Sequence, residues 1–231
     1  MKLAGVYLAL GTIGTALTCT APSWAQSSDW AQRVTMSSQG GHIVGNPLAK
    51  YRLTEYMSYT CNHCANFEAE SHDSLKTDFV QKGHISFEIR NLVLNPIDLT
   101  AAMLARCGGR TKFFGNHRAI LASQTDWMQT FQSSSPEVMQ SLNKGSIAER
   151  MKKIAGAAGF YGLMQKRGFA NDQVDACLSD TSTQETILAM TNYAAGTLKL
   201  SGTPSFTVND KPIDKVHNWA RLRPQLLALP E

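Results

Sequence analysis

The order of predicted elements indicates an α/β protein in which a long helical segment interrupts a small sheet. Strand patterns occur at residues 42–44, 50–59 and 84–94 and again at 204–208, whereas residues 98–199 are rich in helix-forming residues. Because strand-rich parts lie on both sides of the helical block, we expect one sheet with an inserted helical domain, not two domains in series.

The first strand-rich part predicts the order β-β-α-β. Residues 50–59 (KYRLTEYMSY) alternate loosely and carry aromatic side chains, and residues 84–94 (HISFEIRNLVL) place apolar residues at alternate positions. Both patterns are typical of strands. Between them, residues 62–81 have a helical composition that ends at Gly83, a common stop signal;. A short strand at residues 42–44 precedes these elements.

The helical block and the last part of the chain complete the pattern. Helices are predicted at about 98–107, 110–123, 136–143, 146–158, 172–179 and 182–199. After the strand at 204–208, Asn209-Asp210 is a turn signal;. A short edge strand is expected around 212–213, and a final helix at 218–229. The second strand-rich part of the chain therefore has the order β-β-α.

Residues 1–25 are separable from the rest. Lys2 is their only charge, an apolar stretch runs to about Leu17, and small residues flank Trp24 before position 26. This pattern predicts a secretory signal peptide that is cleaved after Ala25. A transmembrane anchor is the alternative, but the apolar stretch is short and interrupted. Residues 26–41 are polar, and we expect a flexible lead-in there.

Composition limits the possible partners. The 231 residues include 22 Lys and Arg against 18 Asp and Glu, which gives a formal net charge of +4. This mildly basic balance indicates neither nucleic acid nor a membrane surface as a partner. Of the five cysteines, Cys19 would leave with the signal peptide. The four that remain allow three disulfide connectivities, and an even number in an exported chain suggests pairing.

The motif Cys61-Asn62-His63-Cys64 lies between a predicted strand and a predicted helix. A cysteine at a helix N-terminus faces unpaired N–H groups and the positive end of the helix dipole, which favour the thiolate. His63, in the same turn, can add a positive charge or an N–H donor. A stabilised thiolate favours the dithiol and makes the oxidised form a stronger oxidant. The motif therefore predicts a dithiol that exchanges disulfides.

Two other interpretations of the motif are less favoured. Structural zinc would need two more ligands, for which Cys107, Cys177 and scattered histidines are candidates, but the chain has no second Cys-x-x-Cys of suitable spacing;. An inert disulfide across one helical turn would brace little of the fold. We expect no metal and no other cofactor.

At these residues the chain resembles a known family. Residues Leu53–Cys64, with Gly202-Thr203-Pro204, are similar to the active-site region of DsbA-like thiol:disulfide oxidoreductases, which are periplasmic members of the thioredoxin superfamily. The family usually has proline after the first cysteine, where this chain has Asn62, and the inner pair of residues tunes the redox potential. His63 is retained. Asn62 is also expected to contact substrate.

The resemblance implies a fold and its boundaries. It covers nearly the whole chain after the signal peptide and implies a thioredoxin fold formed by residues 42–96 and 200–231. An all-helical domain at residues 97–199 is inserted into it.

The resemblance also implies roles for five site residues. Cys61 is expected to be the exposed nucleophile, and Cys64 the buried resolving cysteine. Glu55 would be a buried acid that relays a proton to or from Cys64, although a glutamate in a strand can also face solvent. Thr203-Pro204 would form a cis-proline loop opposite the dithiol, with the backbone of Thr203 free to pair with an extended substrate.

Cys107 and Cys177 form the second predicted pair. Both fall in the helical block, and some DsbA-like proteins have a structural disulfide in this domain, which supports a Cys107–Cys177 bond. Two buried free thiols are the alternative.

The function implied by the resemblance is that of a soluble periplasmic dithiol oxidase. It would introduce disulfides into reduced or unfolded exported proteins and would be reoxidised by a membrane quinone reductase of the DsbB type. A monomer is expected, because residues 26–41 are too short for a dimerisation domain. A disulfide isomerase or reductase is the alternative within the same chemistry. A thiol-based metal-handling or chaperone module is the alternative from another class.

Overall fold

The computed structural model describes Met1 and residues 29–230, so the predicted signal peptide, apart from Met1, lies outside the described residues. Within residues 29–230, six strands form one sheet. They are β1 (Val34–Met36), β2 (His42–Val44), β3 (Tyr51–Met57), β4 (Ile85–Asn91), β5 (Ser205–Val208) and β6 (Lys211–Ile213). Their order across the sheet is β1-β2-β4-β3-β5-β6. The central strands β3 and β4 are parallel, and all other neighbours are antiparallel.

Helices connect and cover this sheet. Helix α1 (Asn62–Ser74) joins β3 to β4. Between β4 and β5, a stretch that the structure describes in full, the chain forms eight further α-helices. They are α2 (Pro96–Ala105), α3 (Arg110–Ala122), α4 (Gln124–Gln132), α5 (Pro136–Ser141), α6 (Ile147–Ala157), α7 (Phe160–Lys166), α8 (Asn171–Leu178) and α9 (Thr181–Asn192). Helix α10 (Trp219–Leu227) follows β6. The predicted fold class, a thioredoxin fold with an inserted helical segment, is confirmed.

Three elements differ from the sequence-based prediction. Residues 26–41 were expected to be a flexible lead-in, but β1 lies within them and pairs with β2, Val34 opposite Val44. A strand of three residues is too short to give a periodic signal. Helices α4 and α7 were not predicted. Helix α4 buries one large apolar side chain, Trp127, and α7 buries two, Phe160 and Met164. Neither helix therefore has the long apolar stripe by which a helix is predicted from sequence.

The core beneath α1 joins the two parts of the sheet. Phe67 of α1 packs against Phe206 of β5 and Trp219 of α10, with ring centroids 4.8 and 6.2 Å apart. Side chains alternate between the faces of a strand. Leu53 and Met57 of β3 belong to the same core cluster as Phe67, so Glu55, which lies between them at alternate positions, is on the α1 face of the sheet. The fold therefore places this carboxyl below the helix that begins at the dithiol.

A disulfide stabilises the helical insertion. Cys107, just after α2, is bonded to Cys177 of α8, with their Cα atoms 5.7 Å apart. Cys107 is buried. This is the pairing that the resemblance implies, and it takes up two of the cysteines that a zinc site would have needed. Among the described residues, none of the helices combines the length and the apolar character needed to cross a bilayer.

We expect the double variant Cys107→Ser/Cys177→Ser to unfold more easily. The bond spans 70 residues of sequence, and closing a loop of that size stabilises a fold by up to roughly 4 kcal/mol, with losses of about 2–4 kcal/mol typical. Denaturant unfolding, with Cys61 and Cys64 kept reduced in both proteins, measures the difference. An unchanged midpoint would contradict a stabilising role for this bond.

Candidate active site

The dithiol begins helix α1. Cys61 is the N-cap residue, with an extended backbone (φ −89°, ψ 117°), and its carbonyl accepts hydrogen bonds from the N–H groups of Cys64 and Ala65 at 3.1 and 3.3 Å. Both thiols are free. Cys61 is partly exposed, whereas Cys64 is completely buried. The two cysteines therefore lie one helical turn apart along the chain, and their sulfur atoms have very different surroundings.

The environment of Cys61 favours the thiolate. A hydrogen bond from the Cys64 thiol, a hydrogen bond with the side chain of Thr203 and the backbone N–H groups of Cys64 and His63 lower the pKa of Cys61 to about 5, although burial opposes this shift. Thiolates are the reactive form of cysteine in exchange chemistry. At neutral pH this sulfur is therefore a nucleophile and a good leaving group.

The environment of Cys64 favours the neutral thiol. Burial raises the pKa of Cys64 well above its usual value, and the hydrogen bond with Cys61 and the carboxyl of Glu55 add to the rise. Glu55 is itself buried. Burial raises the pKa of this carboxyl well above its usual range, and the nearby charges of Glu68 and Cys61 act in the same direction. The carboxyl of Glu55 thus lies close enough to Cys64 for the two groups to influence each other.

The loop before β5 contacts the reactive sulfur. The Thr203–Pro204 peptide bond is cis. In its thiol form, Sγ of Cys61 donates a hydrogen bond to the carbonyl oxygen of Thr203 at 3.2 Å. The carbonyl of Pro204 contacts Nδ1 of His217 at 2.8 Å. The structure therefore brings Thr203 into contact with Cys61, although the two residues are 142 positions apart in the sequence.

The two inner residues of the motif point away from the core. Asn62 and His63 are both exposed. His63 acts on Cys61 through its backbone N–H, which is a contribution that any residue other than proline could make at this position. The expectation that the side chain of His63 adds a positive charge or an N–H donor stays a prediction.

Several residues that position the dithiol were not predicted, and they come from the helical insertion and from Asn95, the N-cap residue of its first helix. The N–H of Tyr59 donates to Oδ1 of Asp98 at 2.7 Å, and the side chain of Asn95 donates to Oγ1 of Thr60 at 2.9 Å. Nε2 of Gln124 donates to the carbonyls of Tyr59 and Cys61 at 2.7 and 3.0 Å. An Asn-Pro pair followed by Asp98 is a helix-start signal, but no local pattern links these side chains to residues 59–61.

Glu68, another buried acidic residue, lies one helical turn after Cys64 on α1. Nη1 of Arg118 lies 3.0 Å from Nε2 of His72. Because arginine only donates, Nε2 is the acceptor and the ring proton is on Nδ1. Nδ1 of His72 therefore donates to Glu68 at 2.8 Å. His117 lies on the other side, with Nε2 3.7 Å from Glu68 and Nδ1 2.9 Å from the hydroxyl of Tyr59. Burial would raise the pKa of Glu68, but the two histidines lower it to about 2. Glu68 is therefore ionised while Glu55 favours its neutral form.

Together these features define a class of protein. A Cys-x-x-Cys at the start of the first helix of a thioredoxin fold, faced by a cis-proline loop, is suited to thiol–disulfide exchange. Comparison with known families agrees: the Thioredoxin family model matches residues 37–227. The chain belongs to the thioredoxin family.

Similar proteins narrow the resemblance. A crystal structure named protein-disulfide isomerase from Novosphingobium aromaticivorans is 40% identical, covers 81% of this chain and 96% of its own, and gives a TM-score of 0.77. A protein of Rickettsia bellii named as a protein-disulfide oxidoreductase is 30% identical over 72% of this chain. The chain spans about half the length of the curated relatives it matches, 56% in that case.

A more distant solved structure shares the fold. Alpha-DsbA1 of Wolbachia pipientis is 20% identical, covers 84% of this chain and 92% of its own, and gives a TM-score of 0.62. The predicted membership of the thioredoxin family is confirmed by the family model, and the resemblance to DsbA-like proteins is confirmed as a shared fold.

We expect Cys64→Ala to raise the pKa of Cys61, because the hydrogen bond from Cys64 is the largest contribution to its low value. Hydrogen bonds to charged groups contribute about 1.5–3 kcal/mol, and one pH unit corresponds to about 1.4 kcal/mol. Cys61 is partly exposed, so the rise should be near the lower limit, about one unit. Thiolate absorbance against pH measures it.

Cys64→Ser is the matched control, because its hydroxyl can still donate to the sulfur. In the wild-type protein the rate of alkylation of Cys61 should fall as the pH falls through about 5. If the alanine and serine variants titrated alike, the backbone N–H groups and not the side-chain donor would set the pKa of Cys61.

Proposed function

We propose that the protein is a thiol:disulfide oxidoreductase that transfers its Cys61–Cys64 disulfide to other proteins. One observation carries the proposal: a partly exposed cysteine whose pKa is lowered to about 5 adjoins a buried cysteine whose pKa is raised. A structural disulfide would need no such difference. The family membership and the names of the relatives point the same way.

The different environments assign an order of steps. A substrate thiolate attacks Sγ of Cys61 in the oxidised protein, a mixed disulfide forms, and Cys64 leaves and takes up a proton. A second substrate thiolate then attacks the substrate sulfur of the mixed disulfide, and Cys61 leaves as the stabilised thiolate. Two electrons pass from the substrate to the protein, and the substrate gains the disulfide. The reduced structure, with Cys61 partly exposed and Cys64 buried, fits the end of this sequence.

Glu55 is proposed as the proton donor and acceptor for Cys64. Cys64 is buried and has no direct access to water, so the proton that it gains or loses needs a nearby carrier. Glu55 lies on the α1 face of β3, favours its neutral form and influences the pKa of Cys64. A carboxyl whose pKa is raised towards neutrality is well matched to this task.

The substrates are proposed to be reduced or unfolded polypeptides. The backbone of Thr203 and the exposed Asn62 flank the partly exposed sulfur, where an extended chain could pair with the loop. An apolar groove of about 370 Å³ lies nearby and includes Leu94 and Ile147, each about half exposed. Asn95 lines this groove and also binds Thr60, next to Cys61, which supports a continuous surface for an apolar segment beside the reacting cysteine.

Net oxidation is the favoured direction. A strongly stabilised thiolate makes the disulfide oxidising. The proposed location is the periplasm, with release of residues 1–25 as a signal peptide, and the proposed partner for reoxidation is a membrane quinone reductase of the DsbB type. Isomerisation is the second candidate, because the solved structure at 40% identity is named a protein-disulfide isomerase.

Two assays on the protein that begins at Gln26 separate these directions. An oxidase should form disulfides in a reduced model protein and do little to a scrambled one, and Cys61→Ser should abolish the activity. We expect a redox potential of about −180 mV or higher; a value near about −270 mV, typical of thioredoxin, would contradict an oxidase. Repair of scrambled disulfides without net oxidation would favour the isomerase.

We expect Glu55→Gln to slow reduction of the Cys61–Cys64 disulfide by about tenfold or more. This is at the lower end of general acid–base effects, because water can partly replace the carboxyl as proton donor. Stopped-flow measurement of single-turnover reduction by a dithiol gives the rate. Glu70→Gln, an exposed glutamate of α1, is the control and should react normally. Equal rates for all three proteins would remove Glu55 from the mechanism.

A further inference from the structure

The loop between β3 and α1 depends on side chains from outside the sheet. Its backbone polar groups at Tyr59 and Cys61 lie beyond the last residue of β3 that pairs with β4, Met57 opposite Asn91. The N–H of Tyr59 is satisfied by Asp98. The carbonyls of Tyr59 and Cys61 are satisfied by the side chain of Gln124. The insertion thus supplies hydrogen bonds that the sheet cannot reach.

Gln124 is built into this position. It is the first residue of α4, only 6% exposed, and its amide nitrogen lies 2.7 Å from the carbonyl oxygen of Tyr59 and 3.0 Å from that of Cys61. A primary amide has two N–H donors, so one side chain satisfies two acceptors. Lys and Arg also have several donors, but a charge buried at this position would carry a large desolvation cost.

The contact to Cys61 has a consequence for its sulfur. Cys61 is the N-cap residue, and its carbonyl also accepts the first hydrogen bonds of α1, from Cys64 and Ala65. The direction of that carbonyl fixes the backbone torsion ψ of Cys61 at 117°. This torsion in turn sets where the first turn of α1 lies relative to Sγ. The backbone N–H groups that stabilise the sulfur belong to that turn.

We propose that Gln124 is a positioning residue of the dithiol: by holding the carbonyl of Cys61, it keeps the N–H groups of the first turn of α1 directed at the reactive sulfur. The helical insertion then controls the reactivity of Cys61 through one amide. This role rests on the proposed thiol exchange at the same site. It concerns the ionisation of Cys61, which is measurable without any protein substrate.

Gln124→Leu removes both donors and keeps a similar side-chain volume. The control is Gln129→Leu on the exposed face of the same helix. In the reduced protein that begins at Gln26, thiolate absorbance against pH gives the titration midpoint of Cys61, and alkylation at pH 5 gives its reactivity. We expect the midpoint of the Gln124 variant to rise by about one pH unit, a tenfold loss of thiolate below the midpoint, with no change in the control.

Stability is measured in parallel to separate positioning from a structural role. If the leucine variant fails to fold, Gln124→Asn replaces it, because its amide is one methylene too short to reach both carbonyls, and the same shift is expected. A folded variant with an unchanged midpoint would overturn the proposal, as would unfolding of both variants, which would assign Gln124 to stability alone. If the titration midpoint of Cys61 rises as expected in the Gln124 variant but the wild-type protein fails the oxidase assay, only the proposed function is overturned.

Discussion

The opposite environments of the sulfur atoms of two cysteines one helical turn apart are the constraint on which the rest of the site depends. Cys61 lies where a helix begins and N–H groups are unpaired, so negative charge is stabilised there;. Cys64 lies in the apolar interior, where charge is costly;. The strand–helix junction establishes this difference, because the chain enters the core between the two residues, and the hydrogen bond from the Cys64 thiol contributes most to the low pKa of Cys61. The other contacts of the site increase or decrease this difference between the two thiols.

The acidic groups below the helix show the same control by local donors. Glu55 and Glu68 are both buried, yet one favours the neutral carboxyl and the other the carboxylate. Burial raises the pKa of both carboxyls, so the opposite outcome for Glu68 comes from the two histidines beside it. His72 and His117 direct N–H groups at Glu68 and hold its charge. That fixed charge in turn disfavours ionisation of Glu55, which keeps a proton available beneath Cys64.

Much of this arrangement could be predicted from the sequence because its signals are local. The strand before the dithiol, the helix after it and the alternating strand at β4 each appear within a few residues. The strand β1 could not be predicted, because three residues give no periodic signal. Helices α4 and α7 could not either, because they pack against each other through Trp127 and Phe160 and bury few other large side chains. Gln124 illustrates the limit: as a polar residue in a polar stretch it gives no signal, and only the folded chain brings it within 3.0 Å of the carbonyl of Cys61.

The disulfide of the helical insertion has a consequence for how the protein is made. Cys107 and Cys177 are bonded, so each new chain must itself be oxidised once before it is complete. Under the proposed function, a finished molecule catalyses that reaction. Newly made copies would then mature faster as finished ones accumulate, and a cell that has lost all active copies would depend on a slower oxidant to restart production. The supply of the catalyst would be self-reinforcing.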